Sequence, residues 1–382
     1  MEALISDLAM GILGLSYKHV IMWIIALVLI YLAVAKDYEP VLLFPIGFGA
    51  LLANIPFSSA IGPEGPLTTL LHAGISNELF PVLIFVAIGA MCDFTPLLKQ
   101  PIMFIFGAAA QMGIFATIIV AALLNFPLNQ AAAIGIIGAA DGPTTIYVAN
   151  KFATELLAPL SVAAYSYMSL VPIIQPPVIK LLTTKEERKI RMVYKDRPIN
   201  PRILISFPII VTLVAGIVAP ISVALIGFLM FGNMLRVCTE LCGSLSRLNE
   251  TAQGELANLV TLVLGVTIGG TMTAEGFLNT STLAIMGLGL CAFIFDTAGG
   301  VLIAKFINLF RSKENKINPM IGACGISAFP MSGRVIAKMA MAEDKRNYLI
   351  HQATGTNASG QIGSVIAGSI VLAVVGTMLG VI

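Results

Sequence analysis

Apolar residues in this chain come in long blocks, not at the spacing of a half-buried helix or strand. About 20 consecutive apolar residues span a bilayer as a helix. Runs near that length recur at 19–35, 39–56, 79–97, 101–125, 129–150, 156–181, 203–219, 220–235, 256–272, 282–309, 318–340 and 352–381. Gly or Pro interrupts several at mid-depth, which predicts broken or re-entrant helices. The expected fold is an all-α polytopic membrane protein of about ten to twelve segments.

One sizeable hydrophilic stretch breaks the pattern, TTKEERKIRMVYKDRPINPR at 183–202. It is basic, so the positive-inside rule places it in the cytoplasm. It divides the chain into an N-terminal membrane half, 1–182, and a C-terminal one, 203–382. It reads as a solvated loop, with docking of soluble subunits as a second reading.

The halves resemble each other. A shift of 180 aligns Ile46-Gly47-Phe48 with Ile226-Gly227-Phe228, and Ile88-Gly89 with Ile268-Gly269. A shift of 187 aligns Ile134, Gly135, Gly138, Pro143, Val148, Lys151 and Ala153 with Ile321, Gly322, Gly325, Pro330, Val335, Lys338 and Ala340. The loop 57–78 has no Lys or Arg and reads as external; its counterpart 236–255 carries Arg236 and Arg247 and reads as cytoplasmic. The halves are therefore expected to be inverted repeats. Inversion needs an odd number of crossings per half. The loop charges outweigh the run count, which puts the miscount in 156–181 or 203–235.

Composition agrees: 57% of residues are hydrophobic and 11% charged, against about 25% charged in soluble domains. No basic stretch is interleaved with aromatics, so no nucleic-acid partner is expected. Cys92, Cys238, Cys242, Cys291 and Cys324 are scattered and the three histidines form no cluster, so they read as buried or interfacial groups. The first 14 residues lack the basic region of a cleavable signal peptide.

Chemistry concentrates in GAADGPTTIY, 138–147. Asp141 is the only charged residue between Lys99 and Lys151. An intramembrane carboxylate is costly and marks a functional site by default. Gly142-Pro143 in one half and Ala328-Phe329-Pro330 in the other occupy matching places, where two discontinuous helices can meet at mid-membrane and free carbonyls for an ion. Asp141, Thr144, Thr145 and Ser327 offer hard oxygens, suited to Na+ or a proton. The competing reading makes Asp141 a helix cap and the threonines packing devices. Asp93 lies near Lys99 at a membrane edge, Asp296 is a second candidate for the ion path, and Gln111 reads as interhelical glue.

GAADGPTTIYVANKFA, AAYSYMSLVPIIQPPVIK, INPMIGACGISAFPMSGRV and GTNASGQIGS resemble the β subunit of the biotin-dependent, sodium-pumping decarboxylases, through nearly the whole chain. Members act on oxaloacetate, methylmalonyl-CoA or glutaconyl-CoA. The resemblance implies a multi-pass subunit of a bacterial or archaeal cytoplasmic membrane that decarboxylates carboxybiotin, consumes a proton and drives Na+ outward. The implied partners are a carboxyltransferase α subunit, a biotin carrier subunit and a small membrane subunit, with further copies of this chain. It also implies functional roles for Asp141, Tyr167, Asn318, Gly322, Ser327, Arg334 and Asn357.

Residue chemistry gives each a task. Asp141 can alternate between carboxylate with Na+ and carboxylic acid. Asn318, Ser327 and Asn357 add neutral oxygens, and Gly322 allows close backbone approach. The Tyr167 hydroxyl can relay a proton or hold a ligand; an interfacial anchor is its plainer role. The Arg334 fork suits the carboxylate of carboxybiotin or a pairing with Asp141; snorkelling is the alternative. Length and the short N-terminal region lean toward the acyl-CoA complexes. The runner-up function is a stand-alone Na+-coupled carrier of an organic anion. An enzyme complete in one chain lacks support, since there is no biotin-acceptor Met-Lys-Met and no soluble catalytic domain.

Overall fold

The computed structural model of the chain describes residues 11–37, 40–194, 198–218, 220–239 and 241–380. Residues 1–10 of the expected first half, 195–197 of the linker and 381 of the last apolar run lie outside the described residues. Among the described residues every element is helical. Helices of seven residues or more are α1 Tyr17–Lys36, α2 Pro40–Ala53, α3 Leu79–Met91, α4 Met103–Ala109, α5 Met112–Leu123, α6 Leu128–Ile136, α7 Gly142–Phe152, α8 Leu157–Leu182, α9 Pro201–Val218, α10 Val223–Thr239, α11 Ala257–Thr271, α12 Thr280–Leu309, α13 Met331–Glu343 and α14 Ile350–Leu379.

Among the described residues five helices are long and apolar enough to cross a bilayer: Tyr17–Lys36, Met103–Leu123, Gly243–Thr271, Thr280–Leu309 and Ile350–Leu379. Counting each of two bent pairs as one span raises this to seven. The remaining expected segments are shorter apolar helices or broken ones. The run 156–181 is bent by 65° between Thr154–Met168 and Leu170–Leu182, ahead of Pro172, Pro176 and Pro177, each of which removes a helical donor. The run 129–150 is not one helix but α6 and α7 with a break between them. Large apolar side chains such as Ile24, Leu27, Leu213 and Leu283 stand more than half exposed, as lipid-facing surfaces require.

Two packed pairs are related by exchange. α2 packs on α11, and α3 packs on α10. The shift of about 180 carries α2 onto α10 and α3 onto α11, so each pair is the other with partners swapped. The details match. Asn54 Nδ2 donates to Met272 O at 2.7 Å, beyond the end of α11, and Asn233 Nδ2 donates to Cys92 O at 2.9 Å, beyond the end of α3. Each amide satisfies a carbonyl that a helix end leaves free. Gly49 faces Gly269 so closely that a Cβ on either would stand about 3 Å from the other's Cα. Small residues permit this approach where lipid supplies no hydrophobic drive between helices.

The linker departs from the expected solvated loop. Its turn Lys185–Arg188 is capped by Thr184, and 184–194 is fastened along its length to the C-terminal half. Arg188 Nε pairs with Glu343 at 2.6 Å, Arg191 Nε with Asp344 at 2.6 Å, and Lys305 Nζ with Glu187 at 3.2 Å. Backbone carbonyls of an irregular segment need donors. Asn318 Nδ2 supplies them to Arg188 O and Ile190 O at 2.8 and 2.9 Å, Asn347 to Arg188 O at 3.1 Å, and Gln352 to Met192 O at 3.2 Å. The Tyr194 ring stacks on His351 with centroids 4.5 Å apart.

The donated hydrogen bond from Arg188 holds the Glu343 carboxyl below its ordinary value of 4.5. A lowered carboxylate stabilises the fold above the ordinary value, so this clasp is intact at neutral pH and loosens as pH falls below about 4.5 through the depressed pKa. Glu343→Gln removes the pair, worth about 1 kcal/mol at a partly exposed site. Tryptic cleavage within 185–191 should then run about five times faster at neutral pH, because the open population rises by that factor. Equal rates would mean that the carbonyl contacts alone hold the segment.

Candidate functional site

Two interruptions meet in the interior. In the first half, α6 tightens into a 3₁₀ turn at Ile137–Ala139, Ala140 takes a left-handed conformation with φ 50°, and Asp141 caps α7. Asp141 Oδ1 accepts from Thr144 N at 3.1 Å, satisfying one of the free donors of the new helix. Pro143 fits the first turn, where its missing N–H costs nothing. In the second half, a 3₁₀ turn at Pro319–Gly325 gives way to extended backbone at Ile326, and α13 starts only at Met331. Ser327 N donates to Ala139 O at 2.9 Å, so each break satisfies the other's backbone.

The carboxylate sits at this junction, 2% exposed. Its Oδ2 accepts from Ser327 Oγ at 3.0 Å and from Ser364 Oγ at 2.6 Å, and the two hydroxyls lie 2.9 Å apart. Ser364 belongs to α14, which lays one face along the second break. Asn357 Nδ2 donates to Ile326 O at 2.8 Å and Gln361 Nε2 to Ser327 O. Residues 357, 361 and 364 follow the i, i+4, i+7 spacing of a helix face.

Every hydrogen-bond partner of Asp141 is neutral. Three donors to a charged group, each worth about 1.5–3 kcal/mol, offset the roughly 2.5–3.5 kcal/mol cost of placing a carboxylate at the centre of a membrane helix. The start of α7 adds favourable dipole charge. The site therefore holds the anion without a lysine or arginine, leaving its charge for a mobile cation. Thr144 Oγ1 on the same helix, and Asn357 Oδ1 and Gln361 Oε1 on the two side chains that donate to the second break, are buried oxygens without a hydrogen-bond partner. Such orphans call for a ligand, and hard neutral oxygens beside one carboxylate fit Na+.

Of the residues singled out in the sequence, the structure brings Asp141, Ser327 and Asn357 together. It separates four others from them. Asn318 caps the turn Pro319–Gly325 and spends its amide on the linker carbonyls, with Oδ1 accepting from Met320 N at 3.1 Å. Gly322 lies against Gly300 of α12, and a Cβ on it would stand 3.0 Å from Val301 N; its smallness admits that helix. The Tyr167 hydroxyl donates to Met286 O, also on α12. Arg334 is exposed on α13 and makes no ion pair with another described residue, so its pairing with Asp141 is not observed. Thr145 Oγ1 bonds Asp141 O at 2.7 Å within its own helix. Gln111 Nε2 reaches Gly107 O at 2.8 Å and Gly325 O at 3.3 Å, which makes it the expected glue. Asp93 pairs with Arg236 at 3.3 Å. Ser364 and Gln361 escaped the sequence reading, although their spacing from Asn357 was the signal that could have found them.

Comparison with known proteins points the same way. Residues 18–375 match the family described as the Na+-transporting oxaloacetate decarboxylase beta subunit. The chain is 45% identical to the methylmalonyl-CoA decarboxylase subunit beta of Propionigenium modestum, over 96% of this chain and 97% of the relative. It is 46% identical to the glutaconyl-CoA decarboxylase subunit beta of Acidaminococcus fermentans, over 96% of each. It is 42% identical to the oxaloacetate decarboxylase beta chain of Haemophilus ducreyi, over 97% of this chain and 98% of the relative. With a match over nearly its full length and a buried carboxylate among orphan oxygens where two broken helices meet, this chain belongs to the family of beta subunits of the Na+-transporting decarboxylases.

Proposed function

We propose that this chain is the membrane subunit that couples decarboxylation of carboxybiotin to outward Na+ transport, with Asp141 as the group that exchanges Na+ for a proton. The observation that carries the reading is the Asp141 carboxylate held by Ser327 and Ser364 within a shell of unpartnered oxygens. The names of its relatives, each a decarboxylase subunit, favour a complex over a stand-alone carrier. The partners are then a carboxyltransferase, a biotin carrier subunit and a small membrane subunit, with further copies of this chain, in the cytoplasmic membrane. Substrate choice lies with the carboxyltransferase, in keeping with identities of 45%, 46% and 42% to subunits of three different decarboxylases.

In the reaction the bond from the carboxyl carbon to the biotin nitrogen breaks, CO2 leaves, and the nitrogen takes a proton. Asp141 binds Na+ as a carboxylate and is neutral when it carries the proton that this step consumes. In the neutral form, the Ser327 and Ser364 oxygens can accept from Asp141, so the same two hydroxyls serve both states. Arg334 is exposed one turn beyond the second break and free of other ion pairs, which suits a planar carboxylate arriving on a partner. Tyr167 holds α8 to α12 and Asn318 the linker to the second break; both act on the site by position. The exchanged packing of α2 with α11 and α3 with α10 supports inverted repeats, with the two breaks as their corresponding parts.

Asp141→Asn should abolish both Na+ uptake into vesicles and Na+-dependent decarboxylation in the assembled complex. The amide is nearly isosteric, so assembly should survive, but it cannot carry the charge that alternates. Asp141→Glu keeps the charge about one methylene further out and should retain weak activity at raised Na+. A near-normal pumping rate in the Asn variant would make this carboxylate a cap only.

Arg334→Lys keeps the charge and loses the fork. Decarboxylation should slow at least tenfold, the cost of about 1.4 kcal/mol of transition-state contact, while the Na+ concentration for half-maximal activity stays nearly unchanged. Equal losses in both measurements would assign Arg334 to the ion site instead.

A further inference from the structure

A second carboxylate is buried beside the same break. Asp296, in the middle of α12, is 0% exposed. Its Oδ1 accepts from Gly113 N at 2.5 Å. That N–H is free because α4 stops at Ala109 and α5 begins at Met112, leaving Gly113 in a first turn without a helical acceptor. This accounts for one oxygen as a cap supplied from a neighbouring helix. It does not account for the other.

Asp296 Oδ2 is buried without a hydrogen-bond partner, and Thr297 Oγ1, next along the helix, is in the same condition. Oδ2 lies against the turn Ile137–Ala139: a Cβ added to Gly138 would stand 3.0 Å from it. Asp141 begins three residues after Gly138, so the two carboxylates flank one short 3₁₀ turn.

Among the described residues no cation pairs with Asp296. Among the elements packed against α12, α4, α5, α6 and the turn Ile137–Ala139 carry no titratable side chain. The turn Pro319–Gly325 contributes Cys324, and α8 contributes Tyr165, Tyr167 and Lys180. On α12 itself, Cys291 is exposed five residues before Asp296, and Lys305 is committed to Leu182 O and Glu187. A buried carboxylate with an unsatisfied oxygen is held neutral by a proton or balanced by a cation. A purely structural cap would need only Oδ1, and an amide would serve as well.

We infer that Asp296 is a second ion-exchanging carboxylate, which holds a proton on Oδ2 and releases it as Na+ takes its place. The exchange balances as a carboxylic acid plus Na+ giving a sodium carboxylate plus H+. The inference rests on the coupling function proposed for Asp141 and extends it to a second group across the turn.

The test is Asp296→Asn in the reconstituted complex, reading the protons released into lightly buffered solution when saturating Na+ is added to the resting complex. Asn keeps an oxygen for Gly113 N, so a capping role survives and titration does not. Each carboxylic acid gives up one proton for one Na+, so wild type should release about two protons per chain and the Asn variant about one. Equal release by wild type and variant would overturn the proposal and leave Asp296 a cap. If the variant does not assemble, the wild-type complex is treated with a hydrophobic carbodiimide, which modifies protonated carboxyls. An adduct at Asp296 whose formation Na+ slows supports exchange. An adduct insensitive to Na+, or none at Asp296 where Asp141 is modified, overturns it. Absence of any Na+ stimulation in the wild type would instead tell against the coupling function itself.

Discussion

Within a bilayer an interrupted helix exposes backbone groups that water cannot reach, and everything around Asp141 follows from how that problem is met. Ser327 N donates to Ala139 O at 2.9 Å, and the Ser327 hydroxyl bonds the carboxylate that caps the facing helix. Each break thus supplies what the other lacks. Neither half can close its interruption alone, because Pro143 and Pro330 prevent a continuous helix through these segments. α14 completes the arrangement by donating to Ile326 O and Ser327 O from Asn357 and Gln361. Satisfying the backbone uses the amide nitrogens of those two side chains and leaves their oxygens buried without a partner. The orphan oxygens that suit an ion are a by-product of repairing two helices.

The outer pairs explain why the breaks can face each other. α2 with α11 and α3 with α10 are held by exchanged counterparts of one contact, Asn54 to Met272 O and Asn233 to Cys92 O. A contact that recurs with its partners swapped is what the inverted repeats proposed above would produce. Repeats so related would carry the break of one half onto that of the other. Glycines at 49, 89, 232 and 269 bring these helix backbones close enough to fix the relation tightly.

Much of this was legible in residues whose chemistry is out of place. Asp141, alone among apolar neighbours, marked the site, and Pro143 with Pro330 marked both breaks. Block shifts near 180 pointed to the two halves. Other features were hidden because sequence shows a side chain but not what it touches. Asn318 offers an oxygen on paper, yet its amide is spent on Arg188 O and Ile190 O. The linker's charges looked solvated, while its carbonyls and ion pairs fasten it to α13 and the start of α14. Ser364 was passed over because a single serine in an apolar helix signals little until its place opposite Asp141 is known. In 129–150 the interruption was legible at Gly142-Pro143, while how its two parts are received by the other half was not.

The position of Asn318 ties the linker to the surroundings of Asp141 without making it a ligand. It caps the turn Pro319–Gly325 at one end, and two residues past the other end Ser327 bonds Asp141. A seven-residue 3₁₀ turn extends about 14 Å at roughly 2 Å per residue, and Gly322 packs it against Gly300 of α12. The turn is therefore a short strut. The end at Asn318 is held by linker carbonyls at 188 and 190, in the stretch paired with Glu343 and Asp344. Drawing 185–194 away would remove the acceptors of the Asn318 amide and free that end of the strut. The opposite end carries the hydroxyl bonded to Asp141, so a shift of the strut weakens the hold on the charge. A buried carboxylate is in this way tied to the linker, with a capped turn as the physical link between them.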